Sequence, residues 1–476
     1  MFRESRYHLF LNNRVYANIV SFSESPIFHH ENPVFAGLDT ELRWENEQEK
    51  KMGGDVGLLL NSKKNKDRLN EQDFIDLTSN DYFFLKNIPE ALLAQNKFIN
   101  RGQKLSSPVF QEEERELISN LVKILGSEHV FSTSSGYLAN IAAISQLAPP
   151  DCPVYFDSKV HVSCYTAITA VKGKGLNSKL ALEARKSRLA LKTRELTQED
   201  RTKIEDILKR VESLSHAYSF RHNDPADLKK KIERAGRGVV IVDGLYSVEG
   251  DLVKPEVVFA AQEQGCLVMI DEAHSLLGTA TKALSVNEQL NLNADIITAS
   301  TSKAGAAHGG LVSIQPPLLE KYLKHLNKER NTEYKRQMER HFGRAYTRVF
   351  SNAAHQGEML AFNARINFLL GHTERSQKVR DMSAVVVQTL KEAGISLVSE
   401  SPMMFLKCGI HETTVNVRDY LQNKYDILGS LYIFPATRWD ETGVRFCLNY
   451  DFCSNNEQIE KFTDAIIETS SKFNLT

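Results

Sequence analysis

Three side chains of different chemistry follow two short apolar runs in the middle of the chain. The run 268–270 leads into Asp271 and then His274, and the run 296–299 leads towards Lys303. Both runs are short and rich in apolar and β-branched residues, which predicts two buried parallel strands. Open α/β sheets carry their chemistry at the carboxyl ends of such strands, so we expect an acid, an imidazole and an amine to meet there.

This set of side chains matches the needs of pyridoxal phosphate. The cofactor requires an anion beside its ring nitrogen and an amine that bonds to its aldehyde. Asp271 can pair with the ring nitrogen, His274 can reach the ring oxygen and Lys303 can hold the aldehyde, with Ser300 as a nearby hydroxyl. The alternative interpretation, a buried capping aspartate and a surface lysine, is disfavoured by the motifs that surround these residues.

Other strand ends offer groups for the rest of such a cofactor. Ser135, Gly136 and Tyr137 stand between a strand-like run and a predicted helix over 138–147, and the first N–H groups of a helix can bind a phosphate. His161 follows the predicted strand 154–157 and could lie flat on a cofactor ring. Asp243 ends a further predicted strand, over 238–243.

Strand and helix patterns alternate over roughly 200 residues, which indicates an α/β fold with a large, mostly parallel sheet wrapped by helices. We expect a large cofactor-binding domain over 73–352, which contains a charged helical insert at 172–215, and a smaller C-terminal α+β domain over 353–476. Residues 1–72 form an extension to which the sequence assigns no role.

Composition excludes several other classes of protein. Among 476 residues, 59 Lys and Arg nearly balance 60 Asp and Glu, so we expect no nucleic-acid partner. The six cysteines show no CxxC pairing, which favours reduced thiols, a cytoplasmic location and no metal site. No apolar run reaches about 18 residues, so no membrane span is predicted.

From about residue 73 to its C-terminus the chain resembles the α-oxoamine synthases, which are fold-type-I pyridoxal phosphate enzymes that join an amino acid to an acyl-CoA. The resemblance implies that Asn80 lies near the substrate, that His161 stacks on the ring and that Asp243 replaces a glutamate of the family. It implies a shared active site in a homodimer, in which Ser351 serves the neighbouring subunit's phosphate. The matching cofactor residues are Ser135, Gly136, Tyr137, His161, Asp243, Ser247, Asp271, His274, Ser300, Lys303 and Ser351.

The chain departs from this family where the family holds the substrate carboxylate with an arginine before a P-x-T motif. Phe434 stands at that position, and a phenyl ring cannot form the bidentate contact of a guanidinium, so Arg438 or Arg445 would have to replace it.

The resemblance favours the branch that makes precursors of α-hydroxyketone quorum-sensing signals from an acyl-CoA and a small amino-acid-derived donor. Alternatives that remain open are synthases of the 8-amino-7-oxononanoate or 2-amino-3-ketobutyrate type, a plain aminotransferase, and a non-catalytic scaffold built on the same fold.

Overall fold

The computed structural model describes residues 74–100, 112–172, 196–330, 332–349, 351, 354–399, 401–433, 436–438 and 440–475, with isolated positions at 183, 187 and 190. These residues belong to one compact unit, Gln72–Thr476. The predicted extension 1–72 lies outside them, as does a part of the predicted insert between residues 173 and 195. Within the described part of the chain, no helix is long and apolar enough to cross a membrane.

A seven-stranded sheet forms the centre of the molecule. Its spatial order is β2-β8-β7-β6-β5-β3-β4, and every strand except β8 runs in the same direction. The predicted strands at 154–157 and 238–243 and the two that lead to Asp271 and Ser300 are confirmed. The strands are β2 (His129–Thr133), β3 (Val154–Asp157), β4 (Ala217–Phe220), β5 (Val239–Asp243), β6 (Leu267–Asp271), β7 (Ile296–Ser300) and β8 (Gly310–Ile314).

Helices cover both faces of this sheet. Alternate residues of β5 and β6 point to opposite sides, so that Ile241 and Met269 pack in one apolar cluster while Val240 and Val268 pack in another. The two clusters make the three-layer arrangement that was predicted. The helices of this part are α1 (Pro89–Asn100), α2 (Glu112–Leu125), α3 (Gly136–Leu147), α4 (Val162–Lys172), α5 (Gln198–Ser215), α6 (Pro225–Ala235), α7 (Pro255–Glu263), α8 (Val286–Gln289), α9 (Pro316–Leu326), α10 (Thr332–Gly343) and α11 (Tyr346–Val349).

The C-terminal part builds a separate, smaller sheet in the antiparallel order β11-β12-β9, and a short pair joins β1 to β10. The strand-like run at Phe74–Phe83 is therefore a strand only at Ile75–Asp76, and it pairs with this later part of the chain. The elements are β1 (Ile75–Asp76), α12 (Gln356–Gly371), α13 (Thr373–Glu392), β9 (Met403–Gly409), α14 (His411–Tyr425), β10 (Ile427–Leu428), β11 (Ser430–Tyr432), β12 (Thr442–Cys447), α15 (Tyr450–Cys453) and α16 (Asn456–Phe473).

One sequence prediction about a helix needs correction. The helix after the phosphate turn begins at Gly136 rather than at 138, because the Ser135 side chain caps it by accepting a hydrogen bond from the backbone N–H of Leu138. Further along the chain, α9 ends before Asn327, which has the left-handed conformation, and α10 starts at Thr332.

The described end of the predicted insert is the helix α5. Its N-terminus has a complete capping box, in which the Thr197 hydroxyl accepts from the backbone N–H of Asp200 and the Asp200 carboxylate accepts from the backbone N–H of Thr197.

The proposed domain limits, including the boundary between 352 and 353, stay predictions. The helix α12 packs its Phe362 and Ile366 in the same apolar cluster as Ala91 of α1.

Candidate active site

Five strands of the central sheet end at the same edge and deliver the predicted groups there. Since β2, β3, β5, β6 and β7 run parallel, the loops that follow them meet at the carboxyl edge of the sheet. These loops carry Ser135 and Gly136, His161, Ser247, Asp271 and His274, and Lys303 respectively.

Asp271, the last residue of β6, is buried and held by neutral donors. Its Oδ2 accepts a hydrogen bond of 2.6 Å from Nδ2 of Asn140, and its Oδ1 accepts one of 2.9 Å from the backbone N–H of Ala273. Burial raises the pKa of Asp271, while the hydrogen bonds from Asn140 and from the Ala273 backbone oppose that rise. The amide of Asn140 is fixed in turn by the Thr298 hydroxyl, which donates to its Oδ1 over 2.5 Å. Among the described residues, only neutral groups hydrogen-bond to this carboxylate, so it can pair with a cation supplied by a ligand.

His161 is tied to Asp271 through a short relay of polar groups. The same Asn140 amide donates to the Ser163 hydroxyl over 2.7 Å, and that hydroxyl lies 2.7 Å from Nδ1 of His161. The backbone N–H of Ser163 also donates to Nδ1 over 3.3 Å, so Nδ1 is an acceptor and the neutral ring carries its proton on Nε2. Desolvation by the surrounding protein lowers the pKa of His161, although the residue stays exposed to solvent. A neutral, exposed ring fits the predicted stacking role.

Asp243 holds the backbone of His161 rather than presenting a free charge. The backbone N–H of His161 donates to Oδ2 of Asp243 over 3.1 Å. Burial, together with the negative charges of Asp271 and Asp157, raises the pKa of Asp243 well above its usual range. We therefore assign Asp243 a structural contact behind the ring site.

Three possible metal ligands lie close together behind the ring site. The ligand atoms of Cys164, Asp243 and Asp271 lie within 4.8 Å of one another. Burial raises the pKa of the Cys164 thiol and of the Asp243 carboxyl well above their usual ranges. The predicted absence of a metal site stays a prediction.

His274 is buried and neutral. Its Nδ1 lies 2.9 Å from the hydroxyl of Tyr82, and burial together with the positive charges of Lys303 and Arg445 lowers its pKa well below the usual range. Because Nδ1 is hydrogen-bonded to Tyr82, only Nε2 is left to form the predicted hydrogen bond with the ring oxygen of the cofactor.

Lys303 stands on a tight turn after β7. The backbone N–H of Ala306 donates to the Lys303 carbonyl over 2.9 Å, and Ala306 has a positive φ of 48°. A side chain at Gly305 would place a Cβ 2.4 Å from the Phe362 ring, so this turn packs closely on α12. Burial, and then the positive charge of Arg445, lowers the pKa of Lys303. The lowered pKa favours the uncharged amine that attacks an aldehyde.

The start of α3 has the shape of a phosphate cradle. A Cβ at Gly136 would lie 2.6 Å from Cβ of Ser300, and a Cβ at Gly310 would lie 2.3 Å from the Ser135 carbonyl oxygen. Only glycine lets these three segments approach, and the first N–H groups of α3 are left for an anion. The hydroxyls of Ser300 and Ser302, which lie 2.8 Å apart after β7, are two further polar groups beside this cradle. The cradle, the acid and the amine together fit pyridoxal phosphate.

The predicted substrate residue Asn80 is bonded to Arg445 of the small sheet. Nη2 of Arg445 donates to Oδ1 of Asn80 over 3.0 Å, and Nη1 donates to the Ser247 carbonyl over 2.6 Å. The guanidinium is buried, it lies 4.5 Å from the centre of the Tyr432 ring, and its Nε has no hydrogen-bond partner within the described part of the chain. Arg445 therefore joins Asn80 to the Ser247 loop.

The remaining predicted residues have contacts of other kinds. The guanidinium of Arg438 donates to both carboxylate oxygens of Asp440, over 3.0 and 3.1 Å, so it is held in a local ion pair. The Tyr137 hydroxyl donates to Thr166 over 2.6 Å, and the Ser351 hydroxyl donates to the Thr347 carbonyl of α11. Phe434, on which the departure from the family rests, lies outside the described residues.

Sequence reasoning missed the residues that orient the predicted ones. Asn140 and Ser163 connect Asp271 to His161, and Tyr82 fixes His274. A faint signal existed for Asn140, which is the only strongly polar side chain in the first two turns of the apolar helix α3. Tyr82 lies two residues after Asn80, but its contact with His274 spans 192 residues of chain and has no local signal.

The fold and the site define a fold-type-I pyridoxal phosphate enzyme, as the sequence predicted. A profile of the aminotransferase class I and II family matches residues 208–466, more than half of the chain, and the chain belongs to that family. It is 24% identical over 399 residues to the CAI-1 autoinducer synthase of Vibrio campbellii, covering 81% of this chain and 84% of that protein. It is 27% identical over 270 residues to the serine palmitoyltransferase of Sphingobacterium spiritivorum, covering 54% of this chain and 63% of that protein.

A solved serine palmitoyltransferase that contains pyridoxal phosphate has the same fold, with a TM-score of 0.67 and 18% identity over 85% of this chain and 89% of that one. The predicted resemblance to the α-oxoamine synthases is thereby confirmed, and pyridoxal phosphate is the cofactor of this enzyme.

Proposed function

We propose that this enzyme condenses an acyl-CoA with a small amino acid or amino-acid-derived donor, releasing CoA and carbon dioxide and forming an α-aminoketone. The product would serve as a precursor of an α-hydroxyketone signal molecule. One structural observation carries the proposal: a buried guanidinium, Arg445, contacts Asn80 and raises the positive potential beside Lys303. The likeness to an autoinducer synthase over most of both chains supports the acyl-transfer chemistry.

Arg445 suits the carboxylate of the donor. A charged guanidinium buried without a carboxylate partner stabilises an incoming anion strongly, because the local dielectric is low. Its Nε has no hydrogen-bond partner among the described residues, so the hydrogen-bonding capacity of the guanidinium is not used up. We therefore assign to Arg445, rather than to Arg438, the role of the arginine that Phe434 replaces, since Asp440 already neutralises Arg438.

The other residues act on protons and orientation. Pyridoxal phosphate, when bound, withdraws electrons from the α-carbon of the donor. Asp271 keeps the ring nitrogen protonated by its negative charge, and Asn140 keeps that carboxylate in place. The Lys303 amine, with its lowered pKa, accepts the α-proton, and neutral His274 donates a hydrogen bond without adding charge.

Exposed apolar and aromatic side chains near the site support a homodimer with a shared active site. Val162 is 60% exposed, Val349 52% and Tyr137 39%, although all three are large apolar or aromatic side chains. The helix α11, which carries Val349, packs on the start of α3, where the Thr347 hydroxyl donates a hydrogen bond of 3.3 Å to the Leu138 carbonyl.

Sedimentation of the purified protein should give twice the monomer mass. Charged substitutions at Val162 or Val349 should lower this mass.

A thiol-release assay tests the reaction. Purified enzyme with pyridoxal phosphate should release CoA from acyl-CoA only when a donor such as a small amino acid or adenosylmethionine is present. The Lys303→Ala variant should lose both the release and the yellow colour of the bound cofactor, with a fall in rate of about 10³-fold or more. Transfer of the amino group to an oxoacid without any CoA release would instead identify a plain aminotransferase.

A further inference from the structure

His222 lies between two carboxylates at the edge of the central sheet. Its Nδ1 is 2.9 Å from Oδ1 of Asp157, and its Nε2 is 2.8 Å from Oδ2 of Asp251. Both carboxylates already accept other hydrogen bonds: Asp157 from the backbone N–H of Asn223 and Asp251 from the Asn223 side-chain amide. Because ionised carboxylates only accept hydrogen bonds, each ring nitrogen must donate, and the ring is an imidazolium.

The two carboxylates belong to the two loops that form one side of the ring site. Asp157 ends β3 and accepts the backbone N–H of Lys159 over 2.8 Å, in the loop that leads to His161. Asp251 lies in the loop after β5, where the Tyr246 backbone N–H donates to its carbonyl over 3.0 Å. The turn from Tyr246 to Asp251 encloses Ser247. His222 therefore reaches from the end of β4, across β3, to the loop of β5.

We propose that His222 is a positioning residue, a charged bridge between Asp157 and Asp251 that fixes the His161 loop against the Ser247 loop and so shapes the pyridoxal phosphate site. The inference rests on the active site proposed above, and it does not depend on which reaction that site catalyses. His222 touches no reacting atom, and its effect passes through the backbone of the two loops.

The groups around His222 make this bridge dependent on pH. The Tyr246 ring packs edge-on at 4.4 Å, and the neighbouring Arg221 pairs with Asp224 over 2.8 Å on the same turn. Burial alone would lower the pKa of His222, but the hydrogen bonds and charges of Asp157 and Asp251 outweigh it and raise the pKa to about 9. Because this folded-state value exceeds the usual 6.5, the bridge stabilises the fold fully below about pH 6.5 and is lost as pH rises through about 9.

The variant His222→Gln tests the bridge, since glutamine can donate to one carboxylate but carries no charge. We expect its dissociation constant for pyridoxal phosphate at pH 7 to rise about tenfold, since hydrogen bonds between charged groups are lost. We also expect the fall in unfolding free energy between pH 6.5 and 10 to be shallower in this variant than in the natural enzyme.

Lys159→Gln is the matched control. Lys159 forms an ion pair with Glu249 that joins the same two loops at the surface. Removing an exposed pair should change cofactor affinity by less than about twofold. Equal affinities and equal pH profiles for the natural enzyme and His222→Gln would overturn the proposal, as would an equally large loss in Lys159→Gln.

A direct titration covers the case in which His222→Gln fails to fold. Selective ¹³C,¹⁵N labelling of histidine in the natural enzyme should show one imidazole that stays doubly protonated above pH 8, and this signal should move to lower pKa in Asp251→Asn. A His222 midpoint at or below about 6.5 would refute the bridge. None of these measurements uses acyl transfer, so a failed thiol-release assay would leave them unaffected.

Discussion

The two ends of the β6–β7 strand pair each hold a buried aspartate, and the two aspartates have different kinds of partner. At the amino edge, Asp295 accepts from the backbone N–H of Val268 over 2.8 Å and from Nζ of Lys321 over 2.7 Å. At the carboxyl edge, Asp271 is bonded by a neutral amide and a backbone N–H. Burial raises the pKa of both carboxyls.

The difference distinguishes a structural acid, an aspartate that stabilises the fold, from an aspartate that is free to bind a ligand. A buried carboxylate needs a cation, and the amino edge supplies its own in Lys321. At the carboxyl edge the described residues orient the carboxylate with neutral hydrogen bonds, and we propose that the cofactor ring supplies its cation. Burial and a raised pKa therefore do not identify a functional acid, whereas the identity of the hydrogen-bonded partner does.

The largest expected effect is that of Asp271→Asn. The amide cannot keep the ring nitrogen protonated, so we expect the turnover number to fall at least about 10³-fold. The unfolding free energy should stay level or rise, because the change removes a buried charge. Steady-state kinetics and denaturant titration measure the two quantities. A variant that kept a tenth of the activity would show that Asp271 is a structural acid like Asp295.

The opposite outcome is expected for Asp295→Asn. We expect the unfolding free energy to fall by about 2 kcal/mol, since a charged hydrogen bond with Lys321 is lost. The turnover number should change by less than about threefold, because Asp295 lies at the other end of the strands. Lys321→Gln should destabilise the fold at least as much, because it leaves a buried carboxylate without its ammonium. A large loss of activity without loss of stability would contradict the assignment.

The sequence predicted the residues of the site better than it predicted their partners. Asp271, His274 and Lys303 follow strands whose ends could be located from short apolar runs, and β3 was predicted at its observed limits, whereas the roles of the three residues stay predictions. The hydrogen bond from Arg445 to Asn80 spans 365 residues of chain, and the bond from His222 to Asp157 spans 65. No local pattern encodes such contacts, because they depend on the order in which strands lie in the sheet and on the docking of a second sheet.

The charge of Arg445 provides a second test of the carboxyl edge. Burial and this charge lower the pKa of Lys303, so the rate of pyridoxal phosphate uptake by the cofactor-free protein should rise with pH with a midpoint below 10.5. The sign follows because only the deprotonated amine attacks an aldehyde. Arg445→Gln should move the midpoint up, and Arg445→Lys, which keeps the charge, should leave it lowered. Stopped-flow absorbance gives the rates. Identical midpoints in all three proteins would show that the charge of Arg445 does not act on Lys303.

The smallest expected effect concerns backbone strain, which also differs between the edges. Before β7, at the amino edge, the residues with positive φ are Asn291 and Asn293, at 50° and 51°, whereas beside Lys303 it is Ala306, at 48°. Asparagine tolerates this conformation, whereas alanine adopts it only at a cost in free energy. We therefore expect Ala306→Gly to stabilise the fold, because the strain that it relieves outweighs the conformational entropy that glycine adds to the unfolded chain.

We expect Ala306→Gly to raise the unfolding free energy by about 0.5–1 kcal/mol, while Asn291→Gly and Asn293→Gly change it by only a few tenths. If the strained turn aims Lys303, the same variant will take up pyridoxal phosphate more slowly although it is more stable, because the lysine samples more orientations. Denaturant titration and uptake rates on the three variants separate these effects. A destabilised Ala306→Gly protein would show that the turn is held without strain, and the contrast between the edges would then rest on the two aspartates alone.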